Sequence, residues 1–400
     1  MRILICPAHY LFSNKYGSEP LWAYEIVTNL ATKVDKLDVL VGVIDIETSN
    51  DFPPNVRIIS IFKGRSTNVF IEFFKRLLFY PLVFVHFLWL RKNNYDVVHH
   101  LFPLSIATFN PVIVFIKFFD KKVKTVMGPL QLPQTVGAKN EIGVVLTGKP
   151  SKNLSTMLIT GIYTLLIIII KPFALFMLRQ SNQVICNSLT SEDYYKQTFG
   201  LTNTCFIPTG VHYQAFNSCI KKTDQLNILC VGQLSERKGQ IYLLKAFNVL
   251  CMTFPNINLI IVGDGPMRNS YEEFVKKYKL EKKVNFTGWL KPKDVEYYYK
   301  NSNIFCLSSL SDPSPTVLLE AMMYALPIVA FDVGSVKEMV KNAGLVVTPQ
   351  DTNALAHAIE MLILDDDLRV NSGNNGHTNI VDNYTWKVIV NQYINLYQNL

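Results

Sequence analysis

Short apolar runs alternate with longer amphipathic segments along the whole sequence. The short runs have the length of buried parallel strands, and the segments between them have the length of crossover helices. The pattern predicts six strands in each half of the chain. Those of the first half are residues 2–6, 39–43, 56–61, 97–99, 125–127 and 183–186. Those of the second half are residues 227–231, 258–262, 284–287, 304–307, 327–330 and 344–347.

Two successive sets of strands predict an α/β protein with two doubly wound parallel sheets. The length of 400 residues agrees with two domains, because a single hydrophobic core rarely serves more than about 300 residues. Ligands of such sheets bind outside the carboxyl ends of the strands. We therefore expect the functional site in a cleft that faces those ends.

Two stretches are more apolar than the rest of the chain. Residues 70–90 and 156–178 are each long enough to cross a bilayer. The first carries charges in its early turns, and the second is interrupted by Lys171 and Pro172. A span would also place parts of one parallel sheet on opposite sides of a membrane. The pattern favours helices that lie at a membrane surface, with plain core helices as the second interpretation and a true span as the third.

Composition and charge sharpen this picture. The chain is 49% hydrophobic and 18% charged, which excludes disorder as its main state. Its mean hydropathy of +0.18 is high for a soluble enzyme. Lys and Arg number 21 against 13 Asp and Glu in residues 1–200, and 18 against 18 in residues 201–400. A basic, apolar first half indicates an anionic lipid surface or an anionic ligand, with an unspecific basic surface as the alternative. Nucleic acid is not expected, because no recognition motif accompanies the charge.

The seven cysteines give no sign of a metal site or a disulfide framework. They are scattered, none has CxxC spacing, and their number is odd. They fit small core residues in a reducing compartment. The apolar run at residues 1–6 is too short for a signal peptide. We therefore expect a cytoplasmic protein.

The second half carries the strongest chemical signal. After residues 227–231 the chain reads GQLSERKG, and Lys238 next to Gly239 at a helix start suits a clamp for a diphosphate. The next strand ends in VGDGP, where Gly263 allows a tight turn at the edge of the sheet. A purely structural turn is the alternative for that glycine. A third strand ends in VNFTGWL, and the loop at Trp289 is expected to border a nucleotide base.

Two carboxylates flank the start of a further helix. Asp312 precedes a helix that begins near Pro315, and proline suits a first helical turn. The first-turn amides of Thr316 and Val317 are expected to form an anion site. Glu320 lies about one and a half turns into this helix, where its oxygens can accept hydrogen bonds from ribose hydroxyls. A solvated surface carboxylate is the alternative for Glu320.

The order of these motifs resembles the donor domain of family-four retaining glycosyltransferases. The positions that match the family pattern are Lys238, residues 263–266, residues 284–288, and Glu320 with the following Ala321 and Pro327. The family has the GT-B architecture, two facing Rossmann-like domains with a cleft between them. The resemblance implies transfer of a sugar from a nucleotide diphosphate sugar, a UDP-sugar above all. It also implies retention of the anomeric configuration, with no metal and no other cofactor.

The resemblance also assigns roles by position. Lys238 would neutralise the leaving diphosphate, Glu320 would bind the ribose, and Asp312 would take the catalytic place that addresses the donor sugar. Three positions depart from the family pattern, and one of them is His212, which stands where the junction motif usually has Asp. Asp312 stands where the family has Glu, and Gln233 stands where an Arg commonly assists the phosphates. The neighbouring Arg237 is the expected substitute for that Arg.

The first half resembles the family more weakly. Gly17 opens the stretch GSEP, which resembles the glycine loop that approaches the diphosphate. Many relatives have a histidine after the fifth strand that lines the active site, and the chain has none in that slot. We therefore expect His99 or His100, at the end of the preceding strand, to take its place. A structural role is the alternative for both histidines.

Together these observations predict an acceptor-binding domain over residues 1–205, a nucleotide-sugar donor domain over 206–378 and a terminal helix over 379–400 that crosses back to the first domain. The predicted function is a retaining glycosyltransferase at the cytoplasmic face of the cell membrane. Its expected partners are the donor, a lipid-linked or glycan acceptor for a surface polysaccharide or glycolipid, and an anionic membrane surface. The alternatives are a degenerate transferase that binds without catalysis, and a nucleotide-sugar epimerase or sugar-phosphate transferase.

Overall fold

A computed structural model of the protein describes residues 1–14, 19–46, 52–102, 109–132, 154–213 and 225–400. These residues form two compact units. The first contains the described residues up to Gly210 together with Trp386–Leu400, and the second runs from Val211 to Thr385. The corresponding boundaries predicted from the sequence are 205/206 and 378/379.

The junctions between the units follow from local packing. Gly210 lies so close to Trp386 that an added Cβ atom would be 2.5 Å from atoms of the ring. One residue later, the N–H of Val211 donates to the carbonyl oxygen of Tyr384 at 2.7 Å within the second unit. The chain therefore leaves the first unit after Gly210 and returns to it at Trp386, so each boundary lies a few residues beyond the predicted one.

The first unit is built on parallel strands. They are β1 (Arg2–Ile5), β2 (Leu11–Ser13), β3 (Lys36–Val41), β4 (Val43–Asp45), β5 (Val56–Ser60), β6 (Val97–His100), β7 (Lys124–Leu130), β8 (Gln183–Cys186) and β9 (Thr204–Phe206). Seven form one sheet in the order β5-β3-β1-β6-β7-β8-β9, and β2 pairs with β4. All six predicted strands are present with small shifts at their ends. The strands β2, β4 and β9 were not predicted, because three residues are too few to show a periodicity.

Helices cover both faces of this sheet. They are α1 (Glu19–Ala31), α2 (Val69–Leu90), α3 (Pro111–Phe119), α4 (Leu154–Gln180), α5 (Leu189–Phe199) and the terminal helix (Trp386–Gln398). On one face, Ile3 of β1 shares a core with α1 and the terminal helix. On the other face, Leu4 shares a core with α2, α3, α4 and α5. Successive strand residues point to opposite faces, so each core takes every second residue of the central strands.

The second unit repeats this plan with six strands. They are β10 (Leu226–Val231), β11 (Ile257–Val262), β12 (Val284–Gly288), β13 (Ile304–Leu307), β14 (Ile328–Phe331) and β15 (Gly344–Val347). Its helices are α6 (Gln240–Thr253), α7 (Arg268–Lys277), α8 (Pro292–Lys300), α9 (Thr316–Met323), α10 (Val336–Val340), α11 (Thr352–Leu364) and α12 (Asp366–Asn383). All strands are parallel, in the order β12-β11-β10-β13-β14-β15. The prediction of two doubly wound α/β sheets is confirmed.

The strand order of the second unit determines where a ligand can bind. The sheet grows from β10 to β12 in one direction, and β13 then pairs with the other side of β10. The crossover helices therefore diverge at the β10–β13 pair and leave a crevice outside the carboxyl ends of these two strands.

The packing of Trp386 on Gly210 predicts a large effect on stability. Trp386 is 5% exposed and belongs to the core of the first unit. Replacing it by alanine (Trp386→Ala) should lower the free energy of unfolding by about 3–5 kcal/mol. Trp289→Ala is the matched control, since Trp289 is 73% exposed. Denaturant unfolding followed by circular dichroism measures both, and equal unfolding curves for the two variants would contradict this packing role.

Candidate functional site

Two residues predicted to act on the donor, one on its diphosphate and one on its sugar, meet at the crevice of the second sheet. Lys238 ends a 3-10 turn, Glu236–Lys238, that follows β10, and Asp312 lies in the loop after β13. The ammonium group of Lys238 donates to Oδ2 of Asp312 at 2.5 Å. The two side chains are only 15% and 10% exposed. The structure thus brings together two predicted site residues that are 74 positions apart in the sequence.

This ion pair holds a positive charge at the edge of the sheet. A hydrogen bond between an ammonium and a carboxylate is about twice as strong as a neutral one. An ammonium group carries three N–H donors. Within the described part of the chain, Asp312 accepts a hydrogen bond from the ammonium group of Lys238. The remaining donors can serve a second anion, so the pair suits a site for phosphate oxygens.

Close backbone contact between loops brings the two residues together. Gly239, directly after Lys238, has a φ of +60°, and an added Cβ atom would lie 2.3 Å from the carbonyl oxygen of Ser308. Gly263 after β11 has a φ of +139°, and its added Cβ atom would lie 2.1 Å from the carbonyl oxygen of Gly232. Only glycine fits such contacts. Gly263 therefore has a structural reason to be glycine, which was the alternative interpretation of this residue.

Arg237 and Gln233 act on the loops of the site through the backbone. Nη1 of Arg237 donates to the carbonyl oxygen of Ser311 at 3.0 Å, which joins the loop of Lys238 to the loop of Asp312. The side chain of Gln233 is exposed. The backbone carbonyl oxygen of Gln233 accepts a hydrogen bond from Nε2 of Gln240 at 2.9 Å. Gln240 is a buried residue that the sequence analysis missed. Phosphate binding by Arg237 and by Gln233 stays a prediction.

Helix α9 begins at Thr316, four residues after Asp312. Pro315 is its N-cap residue with an extended backbone, one position earlier than the first-turn place predicted for it. Thr316 and Val317 form the first turn, and no side chain caps it. First-turn N–H groups have no acceptor within their own helix, and the helix dipole places partial positive charge there. The N-terminus of α9 is therefore suited to an anion, and anion binding by its first-turn amides stays a prediction.

Glu320 of α9 is held by a tyrosine that the sequence analysis did not single out. The hydroxyl of Tyr299, in α8, donates to Oε2 of Glu320 at 2.7 Å. Tyr299 is 3% exposed and stacks on Tyr324 with ring centroids 5.5 Å apart. Burial raises the pKa of Glu320, and the bond from Tyr299 opposes this shift by lowering it. The run of three tyrosines at 297–299 was visible in the sequence, but only the fold shows which of them faces Glu320.

The structure gives both ring nitrogens of His99 a hydrogen-bond partner. Its Nε2 atom lies 3.0 Å from the carbonyl oxygen of Gly128, and its Nδ1 atom lies 2.6 Å from the hydroxyl of Tyr397. A carbonyl only accepts, so Nε2 carries the proton and Nδ1 accepts from the tyrosine. Burial lowers the pKa of His99 to about 3. Both ring nitrogens are occupied by bonds inside the first unit, which is the structural alternative.

His100 is also fully buried in the first unit. Its Nε2 atom lies 3.4 Å from the hydroxyl of Tyr80. Burial lowers its pKa to about 3, so the ring is neutral and a poor base at neutral pH. Both histidines are thus buried, which fits the structural alternative and was not visible in the sequence. A catalytic role for either residue stays a prediction.

Gly17 and Trp289 were also predicted to contact the nucleotide-sugar donor. Gly17 lies outside the described residues. Trp289 directly follows Gly288 of β12, whose carbonyl oxygen accepts a bond from the N–H of Gly263 at 3.0 Å. Its ring is 73% exposed. Trp289 thus lies beside the glycine loops of the site, and its contact with a base stays a prediction.

Comparison with known proteins identifies the domain that carries this site. Residues 214–379 match the model of the family described as glycosyl transferases group 1. The second unit is a glycosyl transferases group 1 domain. This match confirms the family that the motif order of the sequence indicated.

Several known glycosyltransferases are similar to the chain. An uncharacterized glycosyltransferase of Haemophilus influenzae is 36% identical over 152 residues, which cover 37% of this chain and 42% of the relative. The amylovoran biosynthesis glycosyltransferase of Erwinia amylovora is 27% identical over 224 residues, which cover 53% and 61%. The chain spans about half the length of the curated relatives it matches.

A solved structure extends the likeness to the whole chain. HepE of Anabaena, in complex with UDP, has a TM-score of 0.66 to this protein, covers 100% of both chains and is 19% identical. At this identity the likeness shows the fold alone. It confirms the predicted fold class, the GT-B fold with two Rossmann-like units, each of which contains a doubly wound parallel sheet.

The bond between Tyr299 and Glu320 predicts two measurable effects. Tyr299→Phe leaves the half-buried carboxylate of Glu320 without its phenol donor, which should lower the free energy of unfolding by about 1 kcal/mol. The same change should raise the pKa of Glu320 further, because the bond that lowers this pKa is lost. Chemical denaturation and an NMR titration of labelled glutamate measure these effects. Tyr297→Phe is the control, since Tyr297 is 63% exposed, and similar shifts in both variants would show that Tyr299 has no special role.

Proposed function

We propose that this protein is a retaining glycosyltransferase that moves a sugar from a nucleotide diphosphate sugar to a membrane-anchored acceptor. The observation that carries the proposal is the contact of Lys238 with Asp312 at the crevice of a glycosyl transferases group 1 domain. The UDP in the HepE complex supports a UDP-sugar as the donor. The amylovoran relative supports a place in polysaccharide or glycolipid synthesis.

Different residues of the site bind different parts of the donor. Lys238 and the first-turn amides of α9 receive the leaving diphosphate, whose charge grows as the glycosidic bond breaks. Fixed donors aimed at a developing charge contribute a large part of catalysis. Glu320 accepts hydrogen bonds from the ribose hydroxyls, and Tyr299 fixes the rotamer of its carboxylate. In this proposal these groups neutralise the diphosphate, so that the reaction runs without a metal or another cofactor.

Asp312 has two roles in this proposal. Before the donor binds, it pairs with Lys238 and compensates the charge of that partly buried ammonium group. When the donor is bound, it faces the sugar, the position given by its match to the family pattern. Its side chain is one methylene shorter than the family's Glu, so the donor sugar has to approach the loop after β13 more closely.

The acceptor and the location belong to the same proposal. The first half of the chain is basic and contains the long apolar helices α2 and α4. These features support work at the cytoplasmic face of the cell membrane, on a lipid-linked or glycan acceptor and in contact with anionic lipid. A nucleotide-sugar epimerase acts on soluble substrates and has no use for such helices.

A non-catalytic binding subunit is the second candidate function. The observation that favours it is the closed pair of Lys238 and Asp312, together with the two departures from the family pattern at Asp312 and Gln233. A thermal-shift panel of nucleoside diphosphates and nucleotide sugars identifies the ligand for either function, because a ligand that binds the folded state raises its melting temperature. Turnover of that ligand then separates the two functions.

Removal of the Lys238 ammonium group tests the catalytic assignment. Lys238→Ala should lower kcat by about 100-fold to 1,000-fold, because the leaving diphosphate loses its fixed positive charge. Lys245→Ala is the matched control, since Lys245 is exposed on α6. The measurement is release of the nucleoside diphosphate from the donor found in the thermal-shift panel, with a lipid extract as acceptor. Equal turnover in the wild type and both variants would remove the catalytic role.

The raised pKa of Glu320 predicts a pH dependence of donor binding. Both oxygens of the carboxylate form accept hydrogen bonds from the ribose hydroxyls, whereas the protonated form loses charge and acceptor capacity. Burial raises the pKa of Glu320 above its ordinary value. As the pH is lowered, donor affinity should therefore begin to fall at a higher pH than it would with an exposed glutamate. Glu320→Gln should remove this pH dependence and weaken binding at neutral pH. Isothermal titration with UDP across the acidic range measures both, and parallel curves for wild type and variant would contradict the ribose contact.

A further inference from the structure

Helix α2 directs the charged side chains of its first turns to the protein instead of to water. Its acidic residue Glu72 is 2% exposed, and Arg76 lies 3.8 Å from it, over the ring of Tyr10. Nζ of Lys75 bends back to the carbonyl oxygen of Gly64 at 2.6 Å. The charges in the first turns of the helix are thus directed to the protein. A surface helix of a soluble protein points its charges to water.

The outward side of α2 is apolar along its whole length. Eight large apolar side chains, 42–59% exposed, recur at helical spacing: Phe70, Ile71, Phe74, Leu77, Leu78, Val85, Leu88 and Trp89. Their spacing places them on one stripe. The inner stripe is also apolar and packs into the core of the first unit through Phe79, Val83 and Phe87. The helix is therefore apolar on two sides, one of which contacts protein.

The neighbouring helices continue this apolar surface. Helices α2, α3 and α4 share one core, so they lie in one layer on the same face of the sheet. Phe118 and Phe119 at the end of α3 are 58% and 76% exposed. On α4, the exposed residues Leu165, Ile168, Ile169, Phe173 and Phe176 again recur at helical spacing. We call these exposed residues of α2, α3 and α4 the outer face. A contiguous apolar surface of this kind marks a binding surface.

Helix α2 cannot cross a bilayer, although residues 70–93 are long and apolar enough by length and composition. It connects β5 with β6, and both strands belong to the same parallel sheet. A span would carry one of these strands to the other side of the membrane. Moreover, its inner stripe is already packed on that sheet. The geometry leaves α2 lying parallel to a surface, with its outward stripe available.

The charges around the outer face indicate what that surface is. Described residues 63–92, 109–124 and 165–179 contain two acidic residues, the buried Glu72 and the half-buried Asp120. The same ranges contain nine exposed basic residues, which are Lys63, Arg65, Arg91, Lys92, Lys117, Lys121, Lys122, Lys171 and Arg179. Four of them flank the two ends of α2. Basic residues that border an apolar face fit the anionic headgroups that border the acyl chains of a bilayer.

Aromatic residues lie at the same boundary. Trp89, near the end of α2, is 57% exposed, and its ring lies 4.9 Å from Nζ of Lys92 and 5.9 Å from the guanidinium of Arg57. Tryptophan and its basic neighbours are enriched at the headgroup level of membranes. An anionic bilayer combines an apolar phase with an anionic border, which matches an apolar face with an almost purely basic border.

We infer that the outer face is a docking surface for an anionic lipid bilayer, in which α2 lies in the plane of the interface. The stripes of α2 and α4 enter the boundary of the acyl chains, and the nine basic residues contact phosphate-bearing headgroups. This inference rests on the proposed function for its purpose, since it brings the enzyme to a membrane-anchored acceptor. The contact itself depends only on residues of the first unit.

Vesicle flotation with two substitution pairs tests the docking surface. The probes are vesicles of equal parts phosphatidylglycerol and phosphatidylcholine, and vesicles of phosphatidylcholine alone. The double variant Phe74→Glu with Leu78→Glu should bind the anionic vesicles at least about tenfold more weakly, because two large side chains no longer enter an apolar phase. Lys121→Glu with Lys122→Glu should lose about tenfold on the anionic vesicles and show no change on the neutral ones.

Matched controls come from the second unit. Val249→Glu with Met252→Glu changes two apolar residues of α6 that are 44% and 77% exposed. Lys276→Glu with Lys277→Glu reverses two exposed charges of α7. Both control variants should bind vesicles like the wild type. All variants are first compared by circular dichroism and thermal unfolding, so that lost binding is not confused with lost folding.

Three outcomes decide the inference. Wild-type binding to anionic vesicles that falls only in the variants of the outer face supports it. Equal binding by the Phe74 and Leu78 variant and its control overturns it. A wild-type dimer in sedimentation, dissociated by Phe74→Glu with Leu78→Glu while vesicle binding is unchanged, also overturns it, because a second copy would then cover the face. The thermal shift with UDP is read in parallel, so that vesicle binding without UDP binding means failure of the proposed function alone.

Discussion

The candidate site depends on one topological constraint, the pairing of β13 with β10 rather than with β12. This pairing makes the loops after β10 and β13 neighbours, and it places Lys238 within hydrogen-bond distance of Asp312. Parallel strands end at the same edge of a sheet, so the loops that follow them crowd together there. The contact of Gly239 with Ser308 and the bond of Arg237 to Ser311 hold these two loops together.

Buried hydrogen bonds decide which polar residues can do chemistry. Glu320 and His99 each receive a hydrogen bond from a buried tyrosine. For Glu320 this bond occupies one carboxylate oxygen and opposes the rise of its pKa with burial. For His99 the bond to Gly128 uses the other ring nitrogen as well, and burial keeps the ring neutral. A tyrosine hydroxyl therefore leaves one carboxylate oxygen of Glu320 without that bond, whereas both ring nitrogens of His99 are bonded.

The two units use apolar residues differently. In the second unit the helices bury their apolar sides against the sheet. In the first unit α2, α3 and α4 fill a core and also expose large apolar side chains, while the charges of Glu72 and Arg76 are turned inwards. Exposed apolar surface is unfavourable in water by roughly 25 cal/mol per Å². The exposed apolar side chains of α2, α3 and α4 therefore lower the stability of the first unit in water. A second apolar phase that covers them would remove this destabilisation.

The sequence by itself determined the α/β class, the two sets of parallel strands and the residues of the candidate site from Lys238 to Glu320. These features depend on local patterns: apolar periodicity, glycines at strand ends, and a proline and carboxylates around a helix start. Only the tertiary structure showed that Tyr299 serves Glu320, that His99 is bonded on both sides and that the charges of α2 face inwards. The physical reason is that burial and hydrogen-bond partners come from residues far apart in the chain, as with Tyr397 and His99, which are 298 positions apart.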